Sequence, residues 1–405
     1  MTTGPLTLEE AQARLLAFAE PLPIEHVDVE NAIGRYLAEP LRARRTNPAV
    51  DLSAMDGYAM VSGDVAGPWQ IIGESAAGHP FTGSITAGQT VRISTGAILP
   101  EGAAGIILQE DVMRTGDRVA LSGDAPQPED KHVRRRGMDF AASTEILPVG
   151  ARIGSAQAAL ALAGGHRHLP VRRMARVTII DSGDELSADP ENCAPGHIPA
   201  TNGVMLTAMA RTLPVDARRI GPVKDTLASI TQALEASGDA DLIVTSGGAS
   251  VGDHDLIRPA LERWGARMDF WRVAIKPGKP ILVATREVAG RRQIILGLPG
   301  NPVSSYVTGH LFLLPLLRAL SGAAQPLPLR IVTRLGAPIR AAGKRREFLR
   351  GSWNGREVIA HPLQDSGALS PLAYCNALID RHAHATAAEI GTEVEIFLLE
   401  NGCGG

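Results

Sequence analysis

From Arg176 to about Leu320, short apolar runs alternate with amphipathic ones, and no other feature limits the fold as strongly. Residues 177–180, 217–220, 241–244, 268–275, 281–285 and 293–296 read as strands, with a hairpin at Ala289-Gly290. Residues 202–212, 226–236, 255–264 and 302–320 read as helices. Apolar strands separated by helices imply a doubly wound, mainly parallel sheet. In such a sheet ligands bind beyond the carboxyl ends of the strands. The loops at that edge are therefore where chemistry is sought.

The richest of them is Thr245-Ser246-Gly247-Gly248-Ala249-Ser250-Val251-Gly252-Asp253-His254-Asp255. A strand, a glycine-rich turn and a helix together expose backbone N–H groups to an anion. Asp253 and Asp255 follow, where a divalent cation would bridge carboxylate to phosphate. A nucleotide P-loop is excluded, because Lys279 is followed by Pro280 and no Lys-Ser/Thr pair closes the turn. G-x-G-x-x-G is absent as well, since the glycines fall at 247, 248 and 252. A tight structural turn with solvated acids remains the alternative. Three more polar loops share the edge: Ser182-Gly183-Asp184-Glu185, Lys276-Pro277-Gly278-Lys279-Pro280 and Gly297-Leu298-Pro299-Gly300-Asn301-Pro302. Carboxylates, close-approach glycines and two lysines converging there favour a binding site over four ordinary loops. Asp225 stands before a helix, as an N-cap or as a further functional acid.

The flanking chain reads differently. Thr7-Leu8-Glu9-Glu10 is a capping box, opening a helix to about Glu20, and a second helix is expected over 29–37. Residues 58–140 carry short strand-like runs with turn signals. Before them Ser53-Ala54-Met55-Asp56-Gly57-Tyr58-Ala59 has no period, and near their close stands Arg134-Arg135-Arg136-Gly137-Met138-Asp139. The arginine run is a solvated face or a phosphate grip. An Ala-rich helix over 154–164 returns to the N-terminal helical module, so the β segment is an insertion in it. After Gln325-Pro326-Leu327-Pro328 come strand runs at 329–332, 347–353, 358–360 and 394–399, read as a small β-barrel. The expected division is 1–25 with 141–173 as helical linker, 26–140 as inserted β domain, 174–324 as α/β domain and 325–405 as barrel.

Composition narrows the partners. Net charge is −3 and aromatics are 4%, which argues against a nucleic-acid surface. Cys193, Cys375 and Cys403 form no C-x-x-C pair, and no apolar leader precedes Glu10. The longest apolar run, 311–317, is too short for a bilayer. A cytoplasmic chain with no membrane partner is expected.

The five motifs around Asp56, Asp184, Ser246, Lys276 and Asn301 resemble, in order, those of the molybdopterin molybdenumtransferase family, which includes the E domain of gephyrin. The resemblance implies an elongated four-domain homodimer with a cleft shared between subunits. Adenylylated molybdopterin and molybdate would be substrates, Mg²⁺ would assist, and AMP and molybdenum cofactor would leave. It implies catalytic roles for Asp56, Thr95, Glu185, Asp225, Lys276 and Lys279. Substrate contacts would come from Arg134, Asp139, Ser182, Gly183, Asp184, Ser246, Gly247, Gly248, Ser250 and Gly252. Pro299, Gly300, Asn301 and Pro302 would add a wall, and Arg350 with Ser366 or Ser370 would reach in from the barrel. Asp184, Glu185, Asp253 and Asp255 would hold the metal. Leu52 and Asp181 depart from the family pattern, where Asn and a small hydroxyl residue are usual. The rival readings are a molybdopterin adenylyltransferase, which shares the α/β domain alone, and a non-catalytic scaffold of the same architecture.

Overall fold

The computed structural model describes residues 4–247 and 256–399. Its central sheet runs, edge to edge, Val215–Val223, Ala175–Ser182, Leu242–Ser246, Arg291–Leu298, Pro280–Val288 and Arg267–Arg272. The first four strands are parallel, and Pro280–Val288 runs antiparallel to both of its neighbours, joined to Arg291–Leu298 by a hairpin at Ala289-Gly290. Both turn residues have positive φ, 49° and 75°, as the twist of a two-residue hairpin demands. Period-2 alternation splits the central strands between two cores. Val177, Ile179, Leu242 and Val244 face one, with Leu206 and Phe312. Ile180 and Ile243 face the other, with Ile230, Leu234, Ala260 and Leu261. Helices Asn202–Ala210 and Pro302–Leu320 thus cover one face, and Leu227–Ala236 with Ile257–Arg263 the other.

The helix from Pro302 runs to Leu320, as expected. At 19 residues with mean hydropathy 1.2 it is long enough to cross a membrane, yet 89% of it is buried within the fold. It carries a π turn at Gly309–Leu313. A Cβ at Gly309 would meet Met209 Sδ at 2.8 Å, so the glycine lets two helices touch.

The N-terminal segments pair otherwise than the expected division has it. The Leu8–Leu16 helix has its capping box, Thr7 with Glu10. Its buried Leu8, Ala11 and Leu15 join the sheet core, and Gln12 Nε2 donates to the Leu311 carbonyl at 2.8 Å. Residues 6–22 therefore pack with the α/β unit. Residues 26–42 in turn leave the β insertion. Ile24–Asp28 pairs with His168–Arg172, and Val29, Ala32, Leu37 and Leu41 pack on Ile153, Ala158, Ala161 and Leu169. The helix expected over 29–37 is only a 3-10 turn, Val29–Ala32, ended where Gly34 turns to φ 85°. Apolar spacing set these expectations, but tertiary partners decided them.

The insertion is a six-stranded sheet in which Gly57–Met60 lies between Gly105–Leu108 and Gln89–Ile93. Beyond the α/β unit, five strands close into a barrel, because Arg346–Trp353 pairs with both Glu357–Ala360 and Ala377–Arg381. Ala377–Arg381 had no counterpart among the expected runs. A parallel bridge, Ile275–Lys276 to Arg346–Glu347, ties the lysine loop to the barrel.

Asp241 anchors the entry to the central strand. It is 3% exposed and accepts from Arg173 (2.7 and 2.8 Å), Arg291 (2.8 Å) and the Arg176 amide (2.9 Å). Burial alone would raise its carboxyl, but Arg173 and the Arg176 amide hold it below the ordinary range. Asp241→Asn is expected to cost about 2–3 kcal/mol at neutral pH, since it leaves half-buried arginine charge without its partner. A depressed carboxyl stabilises above its unfolded value, and that stability is lost as pH falls through the folded one. The gap between wild type and variant in urea unfolding should therefore narrow below about pH 4.

Candidate functional site

Three parallel strands end in register at one edge: Asp181 opposite Ser246, and Ser246 opposite Leu298. Their loops meet there. Gly247 takes φ 95°, its N–H donates to the Leu298 carbonyl at 3.1 Å, and a Cβ on it would press the Ser182 carbonyl at 3.1 Å. A Cβ at Gly300 would lie 3.7 Å from Gly247 Cα. Backbone meets backbone here, as a turn that presents N–H groups requires. Asn202, first residue of its helix, clasps two walls, donating from Nδ2 to Ser246 Oγ (2.8 Å) and to the Gly300 carbonyl (2.6 Å).

These walls enclose a cavity of about 540 Å³. Ser182, Glu185, Ser246, Gly247, Lys279, Pro299, Gly300, Asn301 and Pro302 line it, as the sequence motifs led us to expect. Gly183, Asp184 and Asp225 sit beside it. A Cβ on Gly183 would meet the Glu185 carboxylate at 2.6 Å, and the Asp225 N–H donates to Asp184 Oδ1 at 3.0 Å. Burial and then the charges of Asp184 and Glu185 push the Asp225 carboxyl up, against a hydrogen bond it accepts from the Asp184 backbone. Asp225 is not a helix cap, because Thr226 fills that place, accepting from the Ser229 N–H at 3.2 Å. Gly248, Ser250, Gly252, Asp253 and Asp255 lie outside the described residues. Among the described residues no three His, Cys, Asp or Glu converge on a metal-sized point.

The two lysines of one loop face different spaces. Lys279 lines the first cavity, whereas Lys276 lines a second, of about 410 Å³, at the barrel. Arg340, Arg345, Glu347 and Ser366 join it there, and Gly278 with Ser304 belongs to both cavities. Glu347, 5% exposed, meets Lys276 Nζ at 3.4 Å and Arg340 Nη2 at 3.4 Å. The cations are thus assembled around one buried carboxylate. Ser366 also accepts from Asn301 Nδ2 at 3.2 Å, linking the barrel to the first cavity's rim.

Arg350, expected to reach in from the barrel, stands apart from both cavities. It is 1% exposed and lines neither cavity, because its guanidinium donates to the carbonyls of Leu363 (3.1 Å), Asp365 (2.9 Å) and Ala368 (2.9 Å). Ser370 lines neither cavity as well; it belongs to the short Leu369–Tyr374 helix. On the inserted sheet, Thr95 N–H and Oγ1 both donate to Asp56 Oδ1, at 2.6 and 2.9 Å, which holds that carboxyl below its ordinary range. Arg134 pairs by its backbone with Leu52, and Asp139 accepts from Asn47 Nδ2 at 3.0 Å. Its neighbour Arg135 is spent on Asp51 (2.7 Å) and Asp130 (3.0 Å). Among the described residues no hydrogen bond or ion pair joins Asp56 or Thr95 to either cavity.

Sequence reasoning passed over Asn202, Arg340, Arg345 and Glu347. An Asn at a helix start reads as a cap, and lone charges near a strand read as solvated, so spacing alone gave no warning.

Family models match nearly the whole chain: the MoeA N-terminal region, domains I and II, over residues 6–165; a probable molybdopterin binding domain over 178–319; and the MoeA C-terminal region, domain IV, over 332–399. A molybdopterin molybdenumtransferase of Nostoc sp. is 32% identical over 93% of this chain and 88% of its own length. One of Haemophilus influenzae is 33% identical over 79% of each. The chain belongs to the molybdopterin molybdenumtransferase family. A molybdopterin biosynthesis moeA protein of Pyrococcus horikoshii shares its fold, with a TM-score of 0.84 and 25% identity, covering 98% of this chain and all of that one. The multidomain α/β architecture with its closed barrel is therefore that of the MoeA family, and the first cavity lies in the region matched to the molybdopterin binding model.

Proposed function

We propose that this chain is an enzyme of molybdenum cofactor biosynthesis that inserts molybdenum into molybdopterin, taking the adenylylated form as substrate. The observation that carries the reading is the pair of adjoining cavities, one walled by backbone at three strand ends and one rimmed by Lys276, Arg340 and Arg345. A pyrophosphate suits the Ser246-Gly247 backbone and Lys279. A small dianion such as molybdate suits the second, where it competes with Glu347 for Lys276 and Arg340. Gly278 and Ser304, common to both, put the two substrates within reach of each other.

In this reading the dithiolene sulfurs take up the metal, with oxide leaving as water. A water attacks phosphorus, the pyrophosphate bond breaks, and AMP departs. Asp184, Glu185 and Asp225 orient that water, and Lys279 meets the charge developing on the leaving oxygen. Asp184 and Glu185 are the described carboxylates that would hold Mg²⁺ at this corner. When bound it would neutralise phosphate oxygens. Asp56, set by Thr95, would arrive from a second copy of the chain, making the enzyme a homodimer with shared sites.

The test is direct. Incubation with adenylylated molybdopterin, molybdate and Mg²⁺ should release AMP and yield cofactor that activates a molybdenum-free apoenzyme. Formation of the adenylylate from ATP and molybdopterin, with no AMP release, would establish the adenylyltransferase instead. Neither reaction would leave the scaffold.

A further inference from the structure

Asp181, next to last in the Ala175–Ser182 strand, is fully buried and lines the first cavity. Neither of its carboxyl oxygens has a hydrogen bond of normal geometry. Buried carboxylates are rarely left so, because the lost hydration goes unreplaced. The surroundings are nevertheless shaped to admit it. A Cβ at Gly203 would collide with Asp181 Oδ2, and one at Gly221 would come within 2.6 Å of the Asp181 carbonyl. Gly203, in the first turn of the Asn202–Ala210 helix, therefore makes room for this carboxylate, and Gly221 lets its own strand approach the Asp181 backbone. That turn is where a negative charge is favoured by the helix dipole. Its first residue is Asn202, the clasp between Ser246 and Gly300.

We propose that Asp181 is a positioning residue whose charge seats the start of the Asn202–Ala210 helix, and through Asn202 sets how closely the Ser246 and Gly300 walls approach. The ionised carboxylate draws the first-turn amides toward it, and the neutral acid releases them. Burial pushes the carboxyl up to about 6, against the opposing pull of Arg219 and the Gly203 amide. Among the described residues the charged groups around it are Arg219, from Val215–Val223, and Glu185 and Lys279 on the walls of the shared cavity; the neighbouring strand and helix present Ser246 and Gly203, which do not titrate. The seat is therefore tunable near pH 6.

Asp181→Asn keeps the shape and removes the charge. In the wild type, amide hydrogen exchange at residues 205–207, corrected for intrinsic rates, should speed about tenfold between pH 7.5 and 5. In Asp181→Asn it should be fast and flat. KM for adenylylated molybdopterin should rise about tenfold over the same range in the wild type while kcat moves less, and should stay flat in the variant. This kinetic arm rests on the proposed activity, whereas the exchange arm does not. A wild type without turnover therefore sinks the functional reading alone, and exchange still judges Asp181. Wild-type pH dependence retained in Asp181→Asn, or in Asp181→Ser should the first variant fail to fold, overturns the proposal.

Discussion

Two inactive variants, Asp56→Ala and Lys279→Ala, are expected to regain about a quarter of wild-type activity when unfolded together and reassembled, by the statistics of random pairing in a twofold dimer. Half of the dimers are then mixed, and each mixed dimer has one site with both groups intact and one with neither. The expectation rests on where the structure puts the two residues. Lys279 lines the cavity at the sheet edge, while Asp56 sits on the inserted sheet with Thr95 and makes no described bond to that cavity. Each variant alone should lose at least a hundredfold, the usual consequence of removing a charged group that acts on the transition state. Both are exposed positions whose removal leaves the cores intact, so circular dichroism and gel filtration should match the wild type. A mixture as inactive as its parts would mean that Asp56 serves its own chain or none.

The α/β unit was legible because its strands are apolar on both faces and its loops carry glycine where backbones meet. Ser182, Ser246, Lys279 and Pro299 stand around one cavity, as motif order implied. Spacing fails where the partner is remote in sequence. Lys276 and Lys279 read as one pair, but a bridge from Ile275–Lys276 to the barrel turns Lys276 toward Glu347, 71 residues away. Residues 26–42 read as part of the insertion because short runs have no period to assign them, and only pairing with His168–Arg172 places them. Asp181 stood out as a departure, yet nothing in the sequence showed that Gly203 would accommodate its carboxylate.

Arg350 decides between two accounts of the barrel's contribution. If it holds a loop, Arg350→Ala should lower stability by about 3–5 kcal/mol, because buried carbonyls lose their donor. The geometry favours this account. The guanidinium caps the carbonyls of Leu363, Asp365 and Ala368, and the Arg350 backbone exchanges two bonds with Gln364, N–H to Oε1 at 3.0 Å and Nε2 to carbonyl at 2.9 Å. No carboxylate pairs with it among the bonds described, so burial lowers its affinity for the proton and carbonyl dipoles carry the charge. The loop so held presents Ser366, whose carbonyl takes the Val303 N–H at 3.2 Å and whose hydroxyl takes Asn301. Activity should then fall with stability, and Arg350→Lys should lie between, since one ammonium reaches fewer carbonyls than a planar fork. Urea unfolding beside a molybdate titration separates the accounts. A variant of wild-type stability that no longer binds molybdate would put Arg350 against the substrate instead, and the loop would be held by Gln364 alone.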